Sequence, residues 1–136
     1  MNKDLPIIET EIMSDIFTKY HIYNLGFDAV IHKFKEAEPL SARAHDHPFT
    51  FTTFIMNGWY IERIWSKVYT MSGRNVWKYR DIKRRQGISY KIKADHIHQV
   101  IAMSEGGCTT IILPEKKEKD WRFYEFKKEG YNYIQV

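Results

Sequence analysis

The segment Arg43-Ala44-His45-Asp46-His47-Pro48 sets two histidines two residues apart, and His96 and His98 repeat that spacing much further along the chain. A neutral imidazole carries a lone pair at physiological pH, which makes histidine the commonest transition-metal ligand. Alternate residues of an extended strand share one face. His45 and His47 therefore aim the same way together with Arg43, while Ala44 and Asp46 take the other side. From that spacing two ring nitrogens can converge on one ion at about 2.0–2.2 Å. A single such pair is ordinarily a solvent-facing or rim position. Four of the six histidines lie in the two pairs, however, and that concentration points to one shared metal pocket.

Other groups could serve the same pocket. Arg43 is placed to clamp a carboxylate or phosphate in a bidentate way, with a structural ion pair as its ordinary role. His96 could replace a ligand or carry a proton near neutral pH, unless a turn at Asp95 rotates it to solvent. Tyr60 and Tyr90 could bring polar tips into an apolar cavity, against the commoner role of strand packing. Glu62 is a substitute ligand or a rim salt bridge. Phe49, Phe51, Thr53 and Ile55 continue the inward parity and supply an apolar wall. Cys108 stands in a strand-like run with no neighbour to lower its pKa, so it is expected to be a buried, inert thiol. No nucleophile elbow, glycine-rich phosphate loop or dinucleotide fingerprint is present.

These side chains need a scaffold, and from Ile22 onward the sequence has all-β punctuation. Short runs rich in Val, Ile, Phe, Tyr, Trp and Thr alternate with turn residues such as Asn57, Gly58, Gly73, Gly87, Gly106 and Gly107. The pattern predicts strands over 28–35, 41–47, 50–56, 59–70, 75–82, 87–93, 97–103, 108–113 and 120–126. Such closely spaced strands define a sandwich or double-sheet barrel. Near the N-terminus, Ile8, Ile12, Ile16 and Tyr20 recur at helical spacing. A short helix is expected there, with an extended strand as the competing reading.

Length, at 136 residues, suffices for one domain with a real core, and a single cysteine cannot form an internal disulfide. With no leader-like start and no long apolar run, a soluble cytoplasmic protein without membrane contact is the expectation. The net charge of +4 is modest and scattered, apart from the basic stretch 78–87 and the mixed-sign stretch 114–122. A charge run on a turn is usually solvated, so nucleic acid is not the expected partner.

The spacing also resembles the cupin superfamily. Its first motif runs Gly, five residues, His, one, His, three or four, Glu, six, Gly. His45, His47 and Gly58 fit it, while Pro39 and Phe51 stand at the opening Gly and the Glu. The second motif runs Gly, five residues, Pro, one, Gly, two, His, three, Asn. Gly87 and His98 fit, and Lys93, Asp95 and Ala102 depart from it. The resemblance covers about residues 28–114. It extends to small single-domain cupin-like proteins of bacteria and phages through Tyr60, Glu62, Trp121 and Phe123.

The resemblance implies an all-β double-stranded β-helix, the cupin jelly roll, spanning one domain over 1–136 with a short N-terminal helix or extension. It also implies a homodimer and a divalent metal (Fe, Zn, Ni or Mn) held by His45, His47 and His98, Phe51 being unable to ligate. Arg43, Tyr60 and His96 are the candidate catalytic residues. The expected function is a metal-dependent enzyme, an oxygenase or isomerase, acting on a small polar or anionic molecule. A non-catalytic module binding small ligands or a partner protein is the alternative. A phage-associated nucleic-acid factor using Arg84 and Arg85 is the weaker one.

Overall fold

The computed structural model describes residues 5–39 and 43–136. Thirteen strands and no helix occur among them. A six-stranded antiparallel sheet contains, in spatial order, β1 (Ile7–Ser14), β2 (Phe17–Tyr23), β3 (Ala29–Phe34), β10 (Cys108–Pro114), β5 (Phe51–Asn57) and β8 (Ser89–Ile92). A seven-stranded sheet is ordered β11 (Phe123–Tyr124), β4 (Ala44–His45), β9 (Ile97–Met103), β6 (Trp59–Tyr69), β7 (Asn75–Arg85), β13 (Asn132–Gln135) and β12 (Phe126–Glu129).

The period-2 pattern explains which faces turn inward. Phe51, Thr53 and Ile55 of β5 are buried, as are Tyr60, Glu62 and Ile64 of β6 and Cys108, Thr110 and Ile112 of β10. Phe51, Ile92 and Ile112 form one core cluster; Ile55, Tyr60 and Cys108 form a second. A third joins Ala44, Trp65 and Trp77 to Tyr124, Phe126 and Tyr133 of the C-terminal strands.

Of the two readings of the N-terminal segment, the structure takes the strand. β1 and β2 form a hairpin with Ile8 opposite Ile22, and β2 continues onto β3. Ile8 and Ile12 stay exposed, at 63% and 76%. The apolar stripe is therefore not what holds the segment; backbone pairing to β2 and the β propensity of Ile and Thr do so. The strand expected over 41–47 is short, since only Ala44 and His45 pair, and Ser41 and Ala42 lie outside the described residues. The strand expected over 120–126 divides at Glu125 into β11 and the start of β12. No helix is long and apolar enough to cross a membrane among the described residues.

Candidate metal centre

β4 and β9 run antiparallel with His45 directly opposite His98, so two imidazoles from distant sequence meet across one ladder. His47 lies just beyond β4, where its N–H donates to the carbonyl of Ala94 at 2.9 Å. That bond ties it to the turn leading into β9. The rings of His45, His47 and His98 pack mutually edge to face, with centroids 5.1, 4.9 and 4.7 Å apart. One nitrogen from each lies within 4.8 Å of the others.

A hydrogen-bond chain behind the triad fixes its electronic state. His98 donates its Nδ1–H to Glu62 Oε2 at 2.5 Å, His96 donates Nε2–H to the same oxygen at 2.9 Å, and Arg84 Nε donates to Oε1 at 2.9 Å. Glu62 is fully buried. Burial alone would raise its pKa, but the bonds from His96 and His98 and their charges outweigh it and hold the carboxyl well below the usual range. With its Nδ1–H donated to Glu62, His98 turns Nε2 toward the cluster, 3.1 Å from His47 Nε2.

The donor set fits a divalent ion. Two nitrogens each about 2.1 Å from one ion are separated by about 3.0 Å at adjacent octahedral positions and about 3.4 Å at tetrahedral ones, and the His47–His98 distance of 3.1 Å falls in that range. Burial, then the charge of His98, lowers the pKa of His45 to about 4; burial, then His98 and His45, lowers that of His47 to about 2. Both are therefore neutral, lone-pair-bearing rings near pH 7, the protonation state a metal requires. His47 Nδ1 is buried without a hydrogen-bond partner, so that ring is oriented by its Nε2 contact with His98 and by packing against Phe51 and Trp121.

Glu62, His96 and His98 form a second group of suitable spacing. Their atoms, however, sit at hydrogen-bond separations around one carboxylate oxygen, and the guanidinium of Arg84 already holds the other. That group orients the triad rather than duplicating it.

The structure thus brings His45, His47 and His98 together and places His96 behind them, half-buried rather than rotated to solvent. Arg43 is exposed beside the cluster, its guanidinium 4.5 Å from the centroid of Phe123. Tyr60 is packed against Ile55 and Cys108 in the core. Burial raises the Cys108 thiol to about 11. Phe51, at the motif's Glu position, sets its ring 4.9 Å from that of His47.

Glu62, which the sequence offers as a substitute ligand or a rim salt bridge, is an interior carboxylate behind the triad; its position between inward-facing Tyr60 and Ile64 was the available signal. Arg84, read as part of a basic turn, pairs with Glu62 and lies 3.9 Å over the ring of Tyr90.

No protein-family model matches the chain, and no curated protein matches it. Solved structures do. Hydroxypropylphosphonic acid epoxidase from S. wedmorenis superposes with a TM-score of 0.56 at 12% identity, over 79% of this chain and 55% of the epoxidase. The oxalate decarboxylase of Lactobacillus farciminis, in a formate complex, gives 0.56 at 14% identity over 87% and 34% of the two chains. An RmlC-like cupin from Shewanella frigidimarina NCIMB 400 gives 0.49 at 14% identity, over 82% and 86%. The chain spans little more than half of the epoxidase. At these identities the likeness defines the architecture: the chain has the cupin fold, an antiparallel double-stranded β-helix.

Proposed function

We propose that the protein is a metal-dependent cupin-type enzyme in which His45, His47 and His98 hold one divalent ion beside a site for a small polar or anionic molecule. One observation carries the reading: His98 Nε2 lies 3.1 Å from His47 Nε2 while Glu62 occupies the other nitrogen of His98. FeII and CoII forms of HppE are among the structural neighbours, which supports a divalent metal without choosing among Fe, Zn, Ni and Mn.

A bound ion would supply Lewis acidity or, if iron, a redox centre. The chain's own residues do the rest. Arg43 makes no ion pair among the described residues, so its charge is available to an anionic group near the cluster. Phe51 sets an apolar ring edge to face against His47, 4.9 Å between centroids, on the side where the first cupin motif carries a carboxylate. Glu62, itself bonded by His96, accepts the Nδ1–H of His98 and so turns Nε2 of that ring toward His47. Tyr60 supports β6 from within the core. One domain and a homodimer, both implied by the resemblance, belong to this proposal and are checked by limited proteolysis and light scattering.

Elemental analysis of untagged protein tests the central point. Near-stoichiometric metal is expected in the natural sequence and its loss in His47→Ala. Equal trace metal in both would overturn the enzyme reading and favour a barrel that binds ligands or a protein without catalysis. The nucleic-acid alternative rests on Arg85 and its neighbours, because Arg84 is committed to Glu62.

A further inference from the structure

Asp46 lies between the two histidines of the first pair and, by strand parity, points away from them. It is 1% exposed, and its polar partners come from one segment after β10. Its Oδ1 accepts the N–H of Arg122 at 2.8 Å and pairs with Lys119 Nζ at 2.7 Å; its Oδ2 accepts the hydroxyl of Tyr124 at 3.0 Å. Its own N–H donates to the carbonyl of Arg122 at 3.1 Å. All these partners belong to the strap that leaves β10 and ends in β11. The same strap is tied further along by the N–H groups of Glu118 and Lys119, which donate to the Pro48 carbonyl at 2.7 and 3.2 Å.

The strap carries Trp121 across the histidine cluster. The indole centroid is 5.5 Å from that of His45 and 5.3 Å from that of His47. Trp121 is nevertheless 46% exposed, so much of it faces outward. Phe123 lies 6.4 Å from His45 under the guanidinium of Arg43. The half-exposed indole of Trp121 and the exposed guanidinium of Arg43, which makes no ion pair among the described residues, suit a flat or apolar body carrying an anionic head.

We propose that Trp121 is the wall of the histidine site against which such a ligand lies, and that Asp46 is the positioning residue that holds Trp121 there. This rests on the metal reading above and adds the class of ligand. Asp46 touches no ligand itself. It acts through the strap, and alternation along one short segment couples the metal face to the latch face.

The test uses untagged protein and Ni²⁺ alone. An open-shell ion held by the three imidazoles quenches an adjacent indole, whereas closed-shell Zn²⁺ does not. Ni²⁺ should lower tryptophan fluorescence in the natural sequence, Zn²⁺ should reverse the loss by competition, and Trp121→Phe should abolish most of it while equilibrium dialysis still finds Ni²⁺ bound. Asp46→Asn, and the milder Tyr124→Phe should the former fail to fold, should retain bound Ni²⁺ but show weaker quenching and easier access of acrylamide to the indole. Unchanged quenching in Trp121→Phe, or unchanged quenching and acrylamide access in the latch variants, overturns the proposal. If dialysis finds no Ni²⁺ on the natural protein, the metal reading fails. The acrylamide comparison needs no metal and decides the latch separately.

Discussion

His98 donates its Nδ1–H to the Glu62 carboxylate across 2.5 Å, and this bond determines which nitrogen of His98 faces His45 and His47. The residues come from adjacent strands: β6 pairs with β9 so that Glu62 opposes Val100 and Ile64 opposes His98. Glu62 reaches His98 diagonally on the inner face, and on its other side reaches Arg84 of β7 by a second diagonal. Three strands thus place one buried ion pair directly behind the histidine cluster.

Glu62→Gln should weaken both metal binding and the fold. An amide oxygen can still accept from His98, but the amide nitrogen then meets the Arg84 guanidinium, donor against donor, and a mostly buried cation loses its partner. Zinc affinity, measured against a competing chelator, should fall about 10–100-fold. Stability in urea should fall by about 3–5 kcal/mol. Unaltered zinc affinity in a folded variant would show that the tautomer of His98 is set by something else.

Phe51→Glu restores the carboxylate that the first cupin motif carries and should make stability depend on metal. Without metal, losing a buried ring from the Phe51, Ile92 and Ile112 cluster costs about 3–5 kcal/mol, and a lone interior carboxylate costs more. With Mn²⁺ or Zn²⁺ present, the carboxylate beside His47 gains a cation, and ligand binding to the native state stabilises by mass action. The metal-induced rise in Tm should exceed that of the natural sequence. An equal rise in both would mean that position 51 does not reach the ion.

Strand identity was legible because alternation and turn residues are local properties. The expected strands over 28–35, 50–56, 59–70 and 97–103 coincide closely with β3, β5, β6 and β9. The convergence of His45, His47 and His98 was legible too, once spacing and resemblance were combined. The buried pairing of Glu62 with Arg84 was not. Their roles depend on which strands become neighbours in a sheet, and the pairing of β6 with both β7 and β9 is a long-range relationship. The N-terminal segment failed for the opposite reason: its four-residue period fits a helix, but a sheet edge offered it hydrogen bonds that a lone, exposed helix would not match with burial.

Acid should weaken the fold through His32, away from the histidine cluster. Its ring meets Phe17 at 5.1 Å and Phe34 at 6.1 Å. Burial, then the charges of Lys19 and His21, lowers its pKa to about 3. The unfolded imidazole titrates near 6.5, so between those values the unfolded chain binds the extra proton and stability falls as pH falls. This one group contributes a slope of up to about 1.4 kcal/mol per pH unit. His32→Phe should flatten the decline between neutral pH and about pH 5 in urea melts, relative to the natural sequence. Parallel declines would assign the acid sensitivity to other groups.

Gly107 and Gly106 separate backbone strain from lack of space, since both adopt positive φ, +93° and +85°. A Cβ on Gly106 would meet nothing within 4 Å, whereas one on Gly107 would lie 1.9 Å from the carbonyl oxygen of Phe34. Gly106→Ala should therefore cost only the left-handed conformation, about 1–2 kcal/mol. Gly107→Ala must in addition push β10 away from the end of β3, where Cys108 pairs with Phe34. The displacement would reach the site, because the Gly107 carbonyl lies 2.4 Å from a Cβ placed on Gly58, in the turn that starts the strand bearing Glu62. Gly107→Ala should lose more stability than Gly106→Ala and weaken zinc binding as well, with loss of soluble protein as the extreme form of the same result. Equal melting temperatures and equal zinc affinities for the two variants would show that the contact at Phe34 relaxes freely and that this corner does not position β6.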